Sequence, residues 1–288
     1  MFSPTTVLLH CNKQPVKVHL VSCGSVAVKT RFRENKYSGF IALADFMLDR
    51  KFTNWLPIWV MIIEHPEGIF VIDSGEITEV NEPDYFKSSG IIANWFDKTQ
   101  FRFSVQKEEE ISAWLQKLNI PEEKIKAIVL THLHFDHTDG IKYFPNTEIL
   151  VNKGEWEKPF GDLPKLYPAW FRPTLLELTQ HYEGFDKAVF LTETKDLVLV
   201  ETPGHTFHHT SVLLRTDECC VFFAADTCYS QQQLLEEKFP GNNACNKLAK
   251  STYDKVKTFS KTHPVVFIPS HDPEAAQRLQ QLERLTFN

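Results

Sequence analysis

Short apolar runs broken by turn residues alternate along the chain with segments of helical spacing. Val16–Cys23 and Trp59–Glu64 have the β-branched and aromatic content of strands, and Gly68–Asp73 reads as a buried strand ending in the turn Ser74–Gly75. Further buried strands are expected at Ala127–Leu130, Thr147–Asn152, Leu197–Glu201, Ser211–Leu214, Cys220–Ala224 and Val265–Pro269. Ile111, Trp114, Leu115 and Leu118 stand at i, i+3, i+4 and i+7, which makes one apolar helical face. Cys245, Leu248, Ala249, Val256 and Phe259 suit a second, longer helix. A third is expected to start at Asp272–Pro273, a capping residue followed by proline at the first helical position. No repeat, low-complexity tract or flexible linker interrupts the pattern, so one domain over residues 1–288 is expected. Strands outnumber helices and the helices are spread through the chain. That points to an α/β (α+β) fold of packed sheets with helices outside.

Composition narrows the function classes. Hydrophobic residues make up 42% and charged residues 24%, as in an ordinary globular chain. Thirty-one basic against 37 acidic side chains give a net charge of −6, which argues against a nucleic acid or an anionic membrane as partner. No apolar run approaches the roughly 20 residues needed to span a bilayer. The start at Met1 lacks a basic segment and a long apolar run, so a cytoplasmic location is expected. The six cysteines form no CxxC pair and fit reduced thiols. Composition gives no use for the 23 phenylalanines and 12 histidines.

The histidines acquire one from their spacing. The strand Ala127–Leu130 runs into Thr131-His132-Leu133-His134-Phe135-Asp136-His137. In an extended segment, positions i and i+2 share a side, so His132 and His134 can grip one metal ion. Asp136 and His137 then face a neighbouring site as the chain turns. Three imidazoles and a carboxylate this close are costly together unless something binds them. Further donors follow other strands: His205 after Thr202-Pro203-Gly204, Asp226 after Cys220–Ala225, and His271 after Val265–Pro269.

The run His132-x-His134-x-Asp136-His137, then His205, Asp226 and His271, resembles the metallo-β-lactamase superfamily. So does the Asp73-Ser74-Gly75 turn. The resemblance extends from about Val18 to about Leu282. It implies an αββα sandwich with a dinuclear metal centre, zinc being the expected metal and iron, cobalt or manganese the alternatives. It also implies that His132, His134 and His205 hold one ion, that Asp136, His137 and His271 hold the other, and that Asp226 bridges them. Within the superfamily, Tyr229 in Asp226-Thr227-Cys228-Tyr229 is similar to a tyrosine beside the metals in N-acyl homoserine lactone lactonases. Glu64-His65-Pro66-Glu67-Gly68 and Leu118-Asn119-Ile120-Pro121-Glu122 resemble the same branch. In that branch two histidines usually flank Thr-Pro-Gly, whereas here Phe207 and His208 replace the Pro and Gly. His209 is then expected to support a ligand rather than bind metal, and Asp73 likewise.

The implied chemistry is lactone ring opening. Two ions about 3.5–4 Å apart hold a bridging hydroxide and lower its pKa toward 7. Tyr229 would donate to the carbonyl oxygen, and Asp136 would move a proton to the leaving alkoxide. The expected partner is a small-molecule lactone with an acyl chain. Its tail would need apolar cover, and three aromatic-rich connections offer it: Ile41–Trp59 (with Phe46), Tyr85–Phe103 and Pro159–Phe171. Trp95, Phe96 and Trp170 are the expected pocket residues. A homodimer contact is the competing use for these stretches. Runner-up substrates are another lactone, such as pyridoxolactone, or a phosphotriester. A nuclease is disfavoured by the acidic charge, and a flavin-linked oxidoreductase by its usual need of a second domain.

Overall fold

The computed structural model describes residues 2–35, 37, 45 and 47–287, apart from the Ile92 side chain. Phe46, counted in the first aromatic stretch, lies outside the described residues. Two sheets face each other. The first contains β1 (Thr5–Cys11), β2 (Gln14–Val28), β3 (Leu56–His65), β4 (Gly68–Ile72), β6 (Ile125–Leu130), β7 (Ile149–Asn152) and β8 (Thr174–Leu176) in that order. β5 (Phe101–Ser104) pairs with the far end of β2. The second runs β14 (Val265–Pro269), β13 (Cys220–Ala225), β12 (Thr210–Arg215), β11 (Leu197–Glu201), β10 (Phe185–Phe190) and β9 (Gln180–Tyr182).

Strict alternation along the strands explains the layers. In β13, Val221, Phe223 and Ala225 enter the core between the sheets, while Cys220, Phe222 and Ala224 face outward. In β6, Ala127 and Val129 point inward, and Ile128 and Leu130 point outward. Both faces are apolar because both are covered, which is why these strands read as unbroken hydrophobic runs. A helix at Ile111–Lys117 buries Ile111, Trp114 and Leu115 on the outside of the first sheet. The helix Asn246–Ser260 buries Tyr253, Val256 and Phe259 on the outside of the second. The result is an αββα sandwich, as expected.

In chain order the helices used below are α1 (Ile91–Gln100), α2 (Ile111–Lys117), α3 (Phe135–Thr138), α4 (Lys153–Glu157), α5 (Gln231–Leu235), α6 (Asn246–Ser260) and α7 (Ala275–Gln281). Two expectations need correcting. The last helix begins at Ala275 rather than at Asp272–Pro273, because the Asp272 carboxylate is shared among Glu274 N–H at 3.0 Å, Gln231 N–H at 2.7 Å and the Arg278 guanidinium. The stretch Tyr85–Phe103 is not an irregular connection either, since it contains α1 and most of β5. Among the described residues no helix is long and apolar enough to cross a membrane.

The topology sets the site. β4 and β6 are parallel, and so are β13 and β14, with β11 running the same way through the antiparallel β12. The carboxyl ends of these strands gather the residues after them along one edge of the sandwich.

Candidate metal centre

Asp73 follows β4 with φ +62, a left-handed position that aspartate tolerates better than most residues, and it is fully buried. Its carboxylate accepts the Thr131 backbone N–H at 2.8 Å, the Thr131 hydroxyl at 2.9 Å and His137 Nδ1–H at 2.8 Å. One side chain thus fixes both ends of the histidine loop to the end of the neighbouring strand.

The ring nitrogens show which way each histidine is used. A carboxylate or carbonyl only accepts, so the nitrogen beside it carries the proton and leaves the other nitrogen's lone pair free. His137 donates through Nδ1 to Asp73, and His271 through Nδ1 to the Pro57 carbonyl at 2.8 Å, so both present Nε2. His134 is reversed. Its Nε2 donates to the Phe160 carbonyl at 2.9 Å and its Nδ1 turns inward, 3.0 Å from His132 Nε2 and 2.9 Å from His205 Nε2. Gly161 makes this approach possible, because a Cβ there would lie 2.8 Å from His134 Nε2.

Across from this trio, His137 Nε2 and Asp226 Oδ1 lie 3.3 Å apart, both buried and without a hydrogen-bond partner. Both atoms face the same space between the donor groups. Asp226 Oδ2 is 3.5 Å from His205 Nε2 and 3.3 Å from His271 Nε2, and Asp136 Oδ2 is 3.4 Å from His271 Nε2. Donor atoms within 4.8 Å of one another fall into the sets His132–His134–His205, His132–His137–Asp226 and Asp136–His137–His271. The structure therefore brings together all seven residues singled out as ligands, with the Asp226 carboxylate between the two groups. Burial pushes the imidazoles of His132 and His205 well below the usual histidine range, which keeps them neutral as metal binding requires. Burial opposes charge on His137 too, but the Asp73 and Asp226 carboxylates outweigh it and push its pKa well up. A cation fits where those carboxylates otherwise favour a proton.

The supporting residues are equally definite. His209 has both nitrogens engaged: Nε2 accepts the Asp226 backbone N–H at 3.2 Å and Nδ1 meets Thr202 Oγ1 at 3.0 Å. It holds Asp226 and offers no lone pair to an ion. Tyr229 is buried, with its ring 5.4 Å from that of His271, and burial beside Asp226 and Asp136 keeps its phenol protonated. Cys228 lies in the outer core, where burial pushes its thiol up to about 12 and disfavours the thiolate.

Sequence reasoning missed Glu155. Asn152 caps α4 by accepting Gly154 N–H at 3.1 Å, and this places Glu155 in the interior with 1% exposure. Its carboxylate accepts Leu133 N–H at 3.3 Å, between His132 and His134, and the Thr206 hydroxyl at 2.7 Å, beside His205. It ties together the two loops that carry the first trio. Its place three residues after the end of β7 is the one sequence feature it shares with the ligands, and that feature alone does not single it out. Glu155→Ala should weaken divalent-metal binding by about 10–100-fold in competition with a chromophoric chelator. Glu155→Gln, which still accepts from Thr206, should lose less.

A cavity of about 640 Å³ opens beside these donors. Tyr229, Asp136, Asp226 and His271 line its floor, and Phe32, Phe96, Phe101, Phe103 and Phe135 line its wall. Of the expected pocket residues only Phe96 lines it. Trp95, next to it on α1, points outward and is 51% exposed, and Trp170 is 40% exposed away from the cavity.

The metallo-beta-lactamase superfamily model matches residues 53–271. The chain belongs to that superfamily. Curated relatives within it include the N-acyl homoserine lactonase AttM of Rhizobium radiobacter, 26% identical over 231 residues, covering 76% of this chain and 83% of the relative. An N-acyl homoserine lactonase of Bacillus cereus is 26% identical over 249 residues, covering 82% and 92%. Among solved metallo-beta-lactamase folds, an N-acyl homoserine lactone hydrolase with N-hexanoyl-L-homoserine bound at its catalytic metal centre superposes with a TM-score of 0.72 at 20% identity. That match covers 90% of this chain and 94% of the other. AidC, described as a dizinc quorum-quenching lactonase, gives 0.63 at 16% identity, covering 94% and 91%.

Proposed function

We propose that this chain is a dinuclear-metal hydrolase that opens the lactone ring of N-acyl homoserine lactones. The observation that carries the reading is the joining of two features: seven His and Asp donors converge, and four of them, His134, Asp136, Asp226 and His271, line a cavity that Phe32, Phe96, Phe101, Phe103 and Phe135 also line. The curated relatives of that name support it. In this reading His132, His134 and His205 hold one zinc ion, Asp136, His137 and His271 hold the other, and Asp226 faces both. Two such ions supply a Lewis acid for the carbonyl oxygen and water acidified for attack.

The chain's own groups do the remainder. The Tyr229 phenol, kept protonated, donates a hydrogen bond to the lactone carbonyl oxygen and strengthens it as charge gathers there. Asp136 has 15% of its side chain exposed and lines the cavity, so its free oxygen can carry a proton to the departing ring oxygen. The aromatic wall takes the acyl tail out of water, at about 0.8 kcal/mol for each methylene buried.

The test is hydrolysis of a lactone panel by zinc-reconstituted protein. kcat/KM should rise about fourfold per added methylene until the cavity is full. Absence of turnover at every chain length would overturn the reading.

A further inference from the structure

Helix α1 (Ile91–Gln100) lays an unusual face against the cavity. Ala93, Phe96, Asp97 and Gln100 stand at i, i+3, i+4 and i+7, with Asp97 and Gln100 buried and Ala93 and Phe96 half-buried, whereas Ile91, Trp95 and Lys98 are exposed. The inward stripe of a surface helix is normally apolar. Here it carries a carboxyl group. Asp97 is 7% exposed, and its Oδ2 is buried without a hydrogen-bond partner among the described residues. Burial pushes its pKa up to about 7. It lines the same cavity as Tyr229, Asp226 and His271, among Phe32, Phe96, Phe101 and Phe103.

A buried carboxyl without a partner is costly, and a leucine at that position would extend the apolar lining formed by Phe96 and Phe101. The lactonase mechanism gives Asp97 no task. Its placement on the cavity wall gives it one toward the tail of the substrate.

We propose that Asp97 is a specificity-determining residue that hydrogen-bonds a hydroxyl group carried on the acyl chain. A hydroxyl is the substituent that suits this site best. It donates to the carboxylate and accepts from the carboxylic acid, so it satisfies a group that changes form near neutral pH. A keto oxygen only accepts and would be served by the acid form alone. A plain alkyl tail leaves the carboxyl buried and unpaired, and this disfavours it relative to the hydroxylated one. The inference rests on the lactonase reading for the identity of the rest of the substrate.

The experiment compares wild type, Asp97→Leu and Asp97→Asn on decanoyl homoserine lactone and on its counterparts hydroxylated at the third or the terminal carbon. Binding of the matching N-methyl decanamides, which carry no lactone, is measured in parallel by calorimetry. Wild type should favour a hydroxylated chain by about tenfold in kcat/KM and in binding. Asp97→Leu should reverse the preference and unfold at a higher temperature, while Asp97→Asn keeps part of it. Equal hydrolysis of all the lactones by wild type, or an unchanged preference in Asp97→Leu, overturns the inference and leaves the lactonase reading standing. Hydrolysis of none, with tighter binding of a hydroxylated amide that Asp97→Leu abolishes, overturns the lactonase reading and supports the role of Asp97. Neither hydrolysis nor selective binding overturns both.

Discussion

Replacing Asp73 by alanine should destabilise the protein by about 4 kcal/mol and strip metal from the His137 side of the centre. The Asp73 carboxylate accepts three donors with no exposure to water: Thr131 N–H, the Thr131 hydroxyl and His137 Nδ1–H. Each buried donor left unpaired costs about 1–3 kcal/mol, less whatever a water entering the space recovers. Alanine also fits less well at φ +62. For a chain of this size the loss corresponds to a fall in Tm of about 10 °C. Asp73→Asn separates stability from metal binding. The amide has nearly the same shape, but its NH2 would donate to His137 Nδ1 and turn the proton of His137 to Nε2, the atom that faces Asp226. That variant should keep most of its stability in urea unfolding and lose bound metal, measured by atomic absorption. An Asp73→Asn protein with full metal content would show that Asp73 does not set the His137 tautomer.

The legibility of this chain follows burial. Strands covered on both faces, such as β4, β6 and β13, appear as apolar runs, and the ligands stand in the short polar segments just after strand ends: His132–His137 after β6, His205 after β11, Asp226 after β13 and His271 after β14. The seven donors were legible for that reason. Edge and peripheral strands were not. β1 alternates buried Leu9 with an exposed Leu8, β9 has three residues, and the two-residue turn Asn12–Lys13 that sets up the β1–β2 hairpin has no glycine although both residues have positive φ. Helix α1 was hidden by its own inward face, where Asp97 and Gln100 break the apolar period. Without that register Trp95 and Phe96 could not be told apart, and both were expected in the pocket although Trp95 faces solvent. Glu155 was missed because a lone glutamate in a short helix carries no period. Only its position between two distant loops, 133 and 206, shows what it holds.

The largest functional loss is expected at Asp226. Its Oδ1 faces His137, its Oδ2 faces both His205 and His271, and its backbone N–H is fixed by His209. Burial works against the charge on this carboxylate, yet the His271 and His137 imidazoles hold its pKa well below the usual range, so it is an anion between the two donor groups. Asp226→Asn preserves the shape and removes the charge, and it places an NH2 where one group of donors needs an acceptor. Loss of a residue that merely supports a ligand costs about 10–100-fold in metal affinity or activity. Loss of the one anion facing both groups should cost on the order of a thousandfold in kcat/KM, with metal content falling in step. Thermal unfolding provides a check that needs no substrate. Zinc at about a hundredfold over its Kd should stabilise the wild-type chain by about 2.7 kcal/mol relative to the chelator-treated form, because metal binds the folded state alone. Asp226→Asn should gain little from the same addition, and its metal-free form should unfold earlier than metal-free wild type, since the charge that the His271 and His137 imidazoles stabilise has been removed. A variant that keeps two metals and full turnover would mean that the two groups of donors do not share Asp226.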